Sequence, residues 1–269
     1  MLWLLLSRWR YYVRSFFTIL LGFRNPIRPL AVLLGFPPPI PFKVSLRSSP
    51  LQFLVRDFMD IWILKETCLD GEYDRILPNR EGNGVLLDIG AGIGDFSIRF
   101  SNRFPGWRIL AYEPLAESFD LLEKNVGLNR IEAIECVKAA VSSQSGSCFL
   151  YAGPWGPVSA TTLRPGEVDT RHPTETVDCI GLDEIVAGIE PNKEVLLKID
   201  CEGAEFEILL NAAPETLGRI AAVALEFHDD LTPHSHEILK QRLEANGFEV
   251  EERNSPAQAH RGLLFGRRR

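Results

Sequence analysis

Three alternating glycines, Gly90, Gly92 and Gly94, follow the apolar run Val85-Leu-Leu-Asp88-Ile and lead into a helical pattern. A strand that turns into a helix in this way presents unpaired backbone N–H groups at the helix start, and glycine removes the side chains that would hold a ligand off the backbone. The loop suits a nucleotide-like ligand. A second set of reactive side chains, Asp200, Glu202, Glu205, Glu226 and His228, falls at or just past the ends of two more apolar runs, 195–199 and 222–226. Open α/β sheets bind ligands at the carboxyl ends of their strands, so these acids and this imidazole are candidates for proton transfer.

Two ligands compete for the loop. A dinucleotide pyrophosphate needs Gly-x-Gly-x-x-Gly, but the position three beyond Gly92 is Asp95, an acid where close packing wants glycine and pyrophosphate wants no negative charge. The methionine-carboxylate and ribose end of S-adenosylmethionine meets no such conflict. Asp88 is placed to organise the loop and meet that cofactor's ammonium. Glu113, in Leu110-Ala-Tyr-Glu-Pro114, is placed to accept both ribose hydroxyls. The chain has neither a Tyr-x-x-x-Lys pair for short-chain dehydrogenase chemistry nor a Gly-Lys-Ser/Thr phosphate loop.

The elements that must position these residues are legible as periodicity. Short apolar runs at 85–87, 108–111, 132–137, 195–199 and 222–226 alternate with helical patterns at 96–104, 115–126, 206–211 and 236–246. That alternation predicts a mostly parallel, doubly wound sheet with helices on both faces. The pair 248–252 and 262–265 reads as a closing antiparallel hairpin, and 148–177 as an insertion. Upstream, 44–47 and 51–55 read as short strands around a Ser-Ser-Pro turn, followed by a helix at 58–69 behind Asp57 as its N-cap. Pro37, Pro38, Pro39 and Pro41 stop any helix. They divide the chain into a helical arm with its linker (1–41), a strand and helix cap (42–84) and a main domain (85–269).

The stretches Asp88-Ile-Gly-Ala-Gly-Ile-Gly-Asp-Phe-Ser97, Ala111-Tyr-Glu-Pro114, Leu121-Leu-Glu-Lys-Asn125, Leu128-Asn129 and Ala139-Ala-Val-Ser142 belong together with the block Leu197-Lys-Ile-Asp-Cys-Glu-Gly-Ala-Glu205. With Glu226-Phe-His228, Gly247-Phe-Glu-Val250 and weaker matches at Asp57 and Glu72-Tyr73, they resemble the FkbM family of methyltransferases. This class I branch is most often tied to O-methylation of sugars and other hydroxyl-bearing natural products. The resemblance covers nearly all of 44–266, and the 197–205 block is its specific element. The chain departs from the family at Gly92, where asparagine is usual, which restores the wider class I pattern. The resemblance implies a Rossmann-like α/β fold with a mostly parallel seven-stranded sheet, helices on both faces, and S-adenosylmethionine as cofactor. It implies cofactor contacts from Asp88, Gly90, Ala91, Gly92, Gly94, Glu113 and Pro114, from Ala139 and Ala140 beside the adenine, and from Asp200 facing the methyl donor. The implied acceptor is a small molecule, glycan or glycolipid with a free hydroxyl.

Methyl transfer is an in-line displacement, so the protein must align the acceptor and remove its proton as attack proceeds. Asp200, Glu202 and His228 are the catalytic candidates, although a strand-end histidine can equally be a hydrogen-bonded structural group. Glu205 is expected to cap the helix beginning near Ala204, and Lys198 to pair with one of the carboxylates. A divalent metal on Asp200, Glu202 and His228 is chemically conceivable, but no spacing motif enforces one, and none is assigned.

Composition narrows the class. The net charge is −7, yet residues 1–56 hold eight basic residues and no acid. The body therefore repels nucleic acid, and only the arm attracts an anionic surface. On a helix, Leu2, Leu5, Leu6, Trp9, Val13, Phe16, Phe17 and Leu20 share one face flanked by Arg10 and Arg14. That face is expected either to lie on a membrane surface, through residues 1–24, or to pack on the domain or a second copy. Five scattered cysteines argue against a disulfide scaffold or zinc site and for the reducing cytoplasm as the location, with membrane association left open. Oligomeric state is not legible. A binding or scaffold protein that keeps the fold without catalysis is the competing function.

Overall fold

In a computed structural model the chain is described for residues 2–36, 38–78, 82–153, 156–161, 175–255, 258 and 260–268. The arm is α1 (Leu2–Gly22) and α2 (Ile27–Leu33). The cap begins with β1 (Phe42–Ser45) paired antiparallel to β2 (Gln52–Val55). Next comes α3 (Phe58–Leu64), capped by Asp57, whose carboxylate accepts from the backbone N–H groups of Met59 and Asp60 at 2.8 and 3.1 Å. The helix expected to reach residue 69 instead widens into a π-turn over Lys65–Asp70, which stops at Gly71 in the left-handed region, φ 68°. This widening accompanies an inward-facing lysine: Lys65 is buried, its ammonium over the Tyr11 and Trp62 rings and 2.8 Å from Asp70.

The main domain comprises first β3 (Gly84–Ile89), α4 (Asp95–Arg103), β4 (Arg108–Tyr112), α5 (Ala116–Asn129), β5 (Ile134–Val137), β6 (Ala140–Ser142), β7 (Gly146–Gly153), β8 (Gly156–Thr161) and β9 (Glu175–Gly181). It continues with α6 (Leu182–Ala187), β10 (Glu194–Ile199), α7 (Ala204–Asn211), α8 (Pro214–Arg219), β11 (Ile220–His228), α9 (His236–Ala245), β12 (Phe248–Asn254) and β13 (Arg261–Arg268). Seven strands form one sheet in the order β12-β13-β11-β10-β3-β4-β5, with β13 antiparallel to both of its neighbours and the other pairs parallel. This is the Rossmann-like class I topology, with the order reversing beside β3, where such sheets bind ligands.

Alternation along the strands explains why both faces need helices. Val85, Leu87 and Ile89 of β3 enter one apolar cluster, with Phe206 and Leu239, while Leu86 enters the other, with Phe96, Phe100 and Trp107. Asp88 and Lys198 share the face of Leu86 and Leu196 and sit opposite each other in the β3–β10 register. Two charged residues are thereby forced together inside the core.

The insertion builds a second sheet in the order β6-β9-β7-β8; residues 162–174 lie outside the described residues. Here the cysteine expectation needs correcting, because Cys148 on β7 and Cys179 on β9 are joined in a disulfide across adjacent strands. Their sequence separation of 31 hid a proximity that antiparallel pairing creates. Cys68, Cys136 and Cys201 are free.

The arm is docked, and by the face opposite to the one its apolar stripe suggests. Ile19 and Phe23 are fully buried in the main core, Phe23 bridges to Leu46, and the Arg24 N–H donates to the Ser45 carbonyl at 2.9 Å. Trp9, Val13, Phe16 and Phe17 face outward instead. No helix among the described residues is long and apolar enough to cross a membrane.

Candidate active site

The glycine loop is shaped by close backbone approach. Gly90, Gly92 and Gly94 all have left-handed φ values, and a Cβ on Gly90 would lie 1.8 Å from the Asp200 carbonyl oxygen. Only glycine lets the ends of β3 and β10 meet there, where the Asp200 N–H donates to the Ile89 carbonyl at 3.0 Å. At Gly92 an added Cβ would meet nothing within 4 Å, so this residue opens onto a cavity.

Glu113 stands across that cavity wall. Its Oε2 accepts the Gly92 N–H at 2.9 Å and its Oε1 accepts the Leu115 N–H at 2.9 Å. Each oxygen keeps a lone pair for a further donor. Burial pushes this carboxyl up to about 7, with the two backbone N–H bonds opposing the rise. Pro114, Ala139 and Ala140 line the same cavity.

Asp88, expected at the cofactor, lies beneath the loop and does not line the cavity. It accepts from the Ser97 hydroxyl at 2.6 Å and pairs with Lys198 at 3.2 Å, while Lys198 also donates to the Gly90 carbonyl at 2.8 Å. Burial opposes its charge, but Asp88, Asp200 and Asp95 together hold the Lys198 ammonium above the ordinary lysine range. Ala91 is buried, and Gly94 closes against Leu122. Desolvation raises Asp95 to about 6 at the cavity edge.

At the other strand ends Asp200 and Glu202 line the cavity, as does Glu226. The Tyr73 hydroxyl donates to Asp200 Oδ2 at 3.1 Å, and Lys198 lies 3.8 Å from the same carboxylate. Glu202 takes a left-handed φ of 51°, a strained conformation for a residue with a side chain, and pairs with Arg261 at 3.2 Å. His228 is fully buried beneath this group and does not line the cavity. Its backbone N–H and its Nδ1 both meet Glu205 Oε1 at 3.0 Å, while Glu205 Oε2 accepts the Gly203 N–H at 2.7 Å. Glu205 therefore does more than cap α7: it braces the imidazole.

Sequence reasoning passed over the cap's contribution. Tyr73, Glu66 and Glu72 enter the cavity from the π-turn and the short segment after it, and Arg253 from the end of β12. Burial, with Glu66 nearby, drives Glu72 up to about 7 against the pull of Arg253. The weak upstream match at Glu72-Tyr73 was the one signal that pointed to them.

Comparison with known proteins decides the family. Residues 88–250, more than half of the chain, match the Methyltransferase FkbM domain. The chain belongs to the FkbM methyltransferase family. Its relatives include methyltransferase 1 of Beauveria bassiana, 28% identical over 77% of this chain and 86% of that protein. Methyltransferase sdnD of Sordaria araneosa is 27% identical over 70% of this chain and 82% of its own. Hexuronic acid methyltransferase AglP of Haloferax volcanii is 29% identical over 72% and 77%, respectively. In this FkbM-family methyltransferase the matched stretch holds Glu113, Asp200 and His228, whereas the cap supplies Tyr73 and the closing hairpin supplies Arg253 and Arg261.

Proposed function

We propose that this methyltransferase uses S-adenosylmethionine to methylate a hydroxyl of a sugar, glycolipid or related polar acceptor. The observation that carries the reading is the Glu113 carboxylate, pinned by the Gly92 and Leu115 N–H groups with one lone pair free on each oxygen. Such a group accepts the two hydroxyls of a ribose. Bound there, the cofactor supplies a sulfonium methyl for in-line displacement.

The chain's own residues would do the rest. Gly92 admits the ligand against the backbone, and Ala139 and Ala140 offer small apolar contacts for an adenine. Asp200, oriented by Tyr73, faces the remaining cavity, where it can hold an acceptor hydroxyl and take its proton as the new C–O bond forms. The lining also includes Glu72, Arg253 and Asn254, polar groups of the kind a sugar requires. A relative that acts on a hexuronic acid is consistent with such an acceptor. A scaffold without catalysis would have no use for this convergence of acids on one cavity.

The test is incubation with isotope-labelled S-adenosylmethionine and panels of glycans and glycolipids, read by mass spectrometry for a gain of one labelled methyl. Calorimetry with S-adenosylmethionine and NAD runs alongside. Binding of NAD with no response to the sulfonium compound, or methyl transfer confined to amines, would overturn the reading.

A further inference from the structure

We propose that Asp200, Glu226 and His228 bind a divalent first-row cation at the floor of the cavity, where two lining carboxylates lie near the buried imidazole. One ligand atom from each side chain lies within 4.8 Å of those of the other two. Small side-chain rotations bring such a triangle onto one ion at about 2.0–2.2 Å from each donor. Asp200 directly follows β10, and Glu226 lies two residues before the end of the neighbouring parallel strand β11, which His228 closes, so two carboxylates converge on the imidazole. The nearby cations make their shorter contacts elsewhere: Lys198 lies 3.2 Å from Asp88 and 2.8 Å from the Gly90 carbonyl against 3.8 Å from Asp200, and Arg261 pairs with Glu202 and Asp230.

His228 supplies the independent sign. Its Nε2 is buried without a hydrogen-bond partner, the nearest Glu202 oxygen being 3.6 Å away. Nδ1 faces a carboxylate oxygen of Glu205 that also takes the His228 backbone N–H. An ionised carboxylate only accepts, so Nδ1 donates its proton to Glu205 and Nε2 is the ring nitrogen with no hydrogen-bond partner. Burial opposes the charge, but Glu205, Glu202 and Glu226 hold the imidazole up at about 10, so a cation binds by displacing the Nε2 proton. A carboxylate behind an imidazole is the arrangement that orients metal-binding histidines and raises their basicity. Two carboxylates and one imidazole suit Mn²⁺, Co²⁺ or Zn²⁺ better than Mg²⁺, which prefers an all-oxygen shell. The cation's role, unlike its binding, rests on the methyltransferase reading of the cavity: it takes the acceptor oxygen and lowers the hydroxyl pKa, the proton passing to a carboxylate or to water.

The experiment titrates Mn²⁺ alone into chelator-treated full-length protein, by calorimetry and electron paramagnetic resonance, with neither cofactor nor acceptor present. Failure here is therefore distinct from failure of the methyltransferase reading. One equivalent is expected, with nitrogen coupling from an imidazole in the unmodified protein. Glu226→Gln and His228→Gln, which remove direct ligands, should each weaken binding by at least about 100-fold, the upper end of the loss seen for groups that only orient a ligand. Glu252→Gln should leave it unchanged; that residue belongs to a separate half-exposed group with His236 and Glu237. Absence of binding, absence of nitrogen coupling, or loss confined to Glu252→Gln would overturn the proposal.

A different observation carries a second inference: we infer that the outer face of the arm lies on an anionic lipid surface. With Ile19 and Phe23 docked inward, Trp9 and Phe17 remain 54% and 52% exposed, next to Val13, Phe16 and Leu21. Arg10, Arg14, Arg24 and Arg28 are exposed beside them, and residues 1–56 contain no acid. A two-fold interface would set this cationic face against its own copy, whereas an anionic surface complements both its charge and its apolar side chains. The Tyr11 hydroxyl donates to Glu66 of the cavity wall at 2.9 Å, so the arm packs against that wall; on the methyltransferase reading, a lipid-linked acceptor would meet both. Full-length protein should sediment with phosphatidylglycerol-containing vesicles at low salt and be released by high salt. Phosphatidylcholine vesicles should retain it poorly, and the pair Phe16→Glu, Phe17→Glu should reduce binding by at least about 10-fold. Protein that stays in the supernatant, or a dimer in solution that this pair of changes dissociates, would overturn the inference.

Discussion

The Lys198 ammonium lies 2.8 Å from the Gly90 carbonyl oxygen, tying the strand that carries Asp200 to the loop that opens the cavity. The same nitrogen is 3.2 Å from Asp88, whose side chain is wholly buried. Removing one partner of a buried pair leaves an uncompensated charge. Lys198→Met is therefore expected to lower stability by about 3–5 kcal/mol and to loosen the loop, measured by urea denaturation and by cofactor affinity. A change below about 1 kcal/mol would show that the pair contributes nothing net.

Glu113 links ligand binding to protons. Its carboxyl is raised by burial from 4.5 to about 7 in the free protein, whereas donors from a ribose favour the carboxylate. Cofactor binding near pH 6.5 should release protons, seen as a dependence of the calorimetric heat on buffer ionisation enthalpy, and affinity should rise with pH up to about 7 and level off above it. Glu113→Gln should abolish the proton release. The same shift works on the free fold with the opposite preference. The folded carboxyl keeps its proton up to about 7 and the unfolded one only to 4.5, so this stabilising contribution is complete below 4.5 and is lost as pH rises through 7. Melting curves of the free protein and of Glu113→Gln across that window should converge at low pH and separate above it.

Asp200→Asn keeps the shape of the side chain but removes its charge and its proton-accepting ability. Turnover should fall by about 10²–10⁴ while cofactor affinity changes little. Tyr73→Phe, which removes the hydroxyl 3.1 Å from that carboxylate, should lower turnover by about 10-fold or less, because it acts only through the orientation of Asp200. Full turnover in Asp200→Asn would remove it from the chemistry.

The arm offers a comparison between two phenylalanines. Phe23 is fully buried and Phe17 half exposed. Phe23→Ala should cost about 3–5 kcal/mol, and Phe17→Ala should stay within about 0.5 kcal/mol, both by chemical denaturation. Equal effects would mean that the arm packs differently in solution.

Local information along the chain determined the alternating strands and helices, the glycine turn, the Asp57 cap and the positions of Glu113 and Asp200 at strand ends, because each is set by neighbours a few residues apart. Distance in sequence concealed the rest. The arm carries apolar residues on both faces, so periodicity chose the Trp9–Phe17 stripe, while the burial of Ile19 and Phe23 was settled by the shape of the cap they meet. Asp88 was legible as a residue that organises the loop, but its partner Lys198 was not, because only the β3–β10 register sets the two side by side. The cysteines that pair, the tyrosine that orients Asp200 and the glutamate that braces His228 are each brought to their partners by strand pairing or by the packing of the cap. Hydrogen bonds and ion pairs act over a few ångströms, and only the tertiary structure says which distant residues come that close.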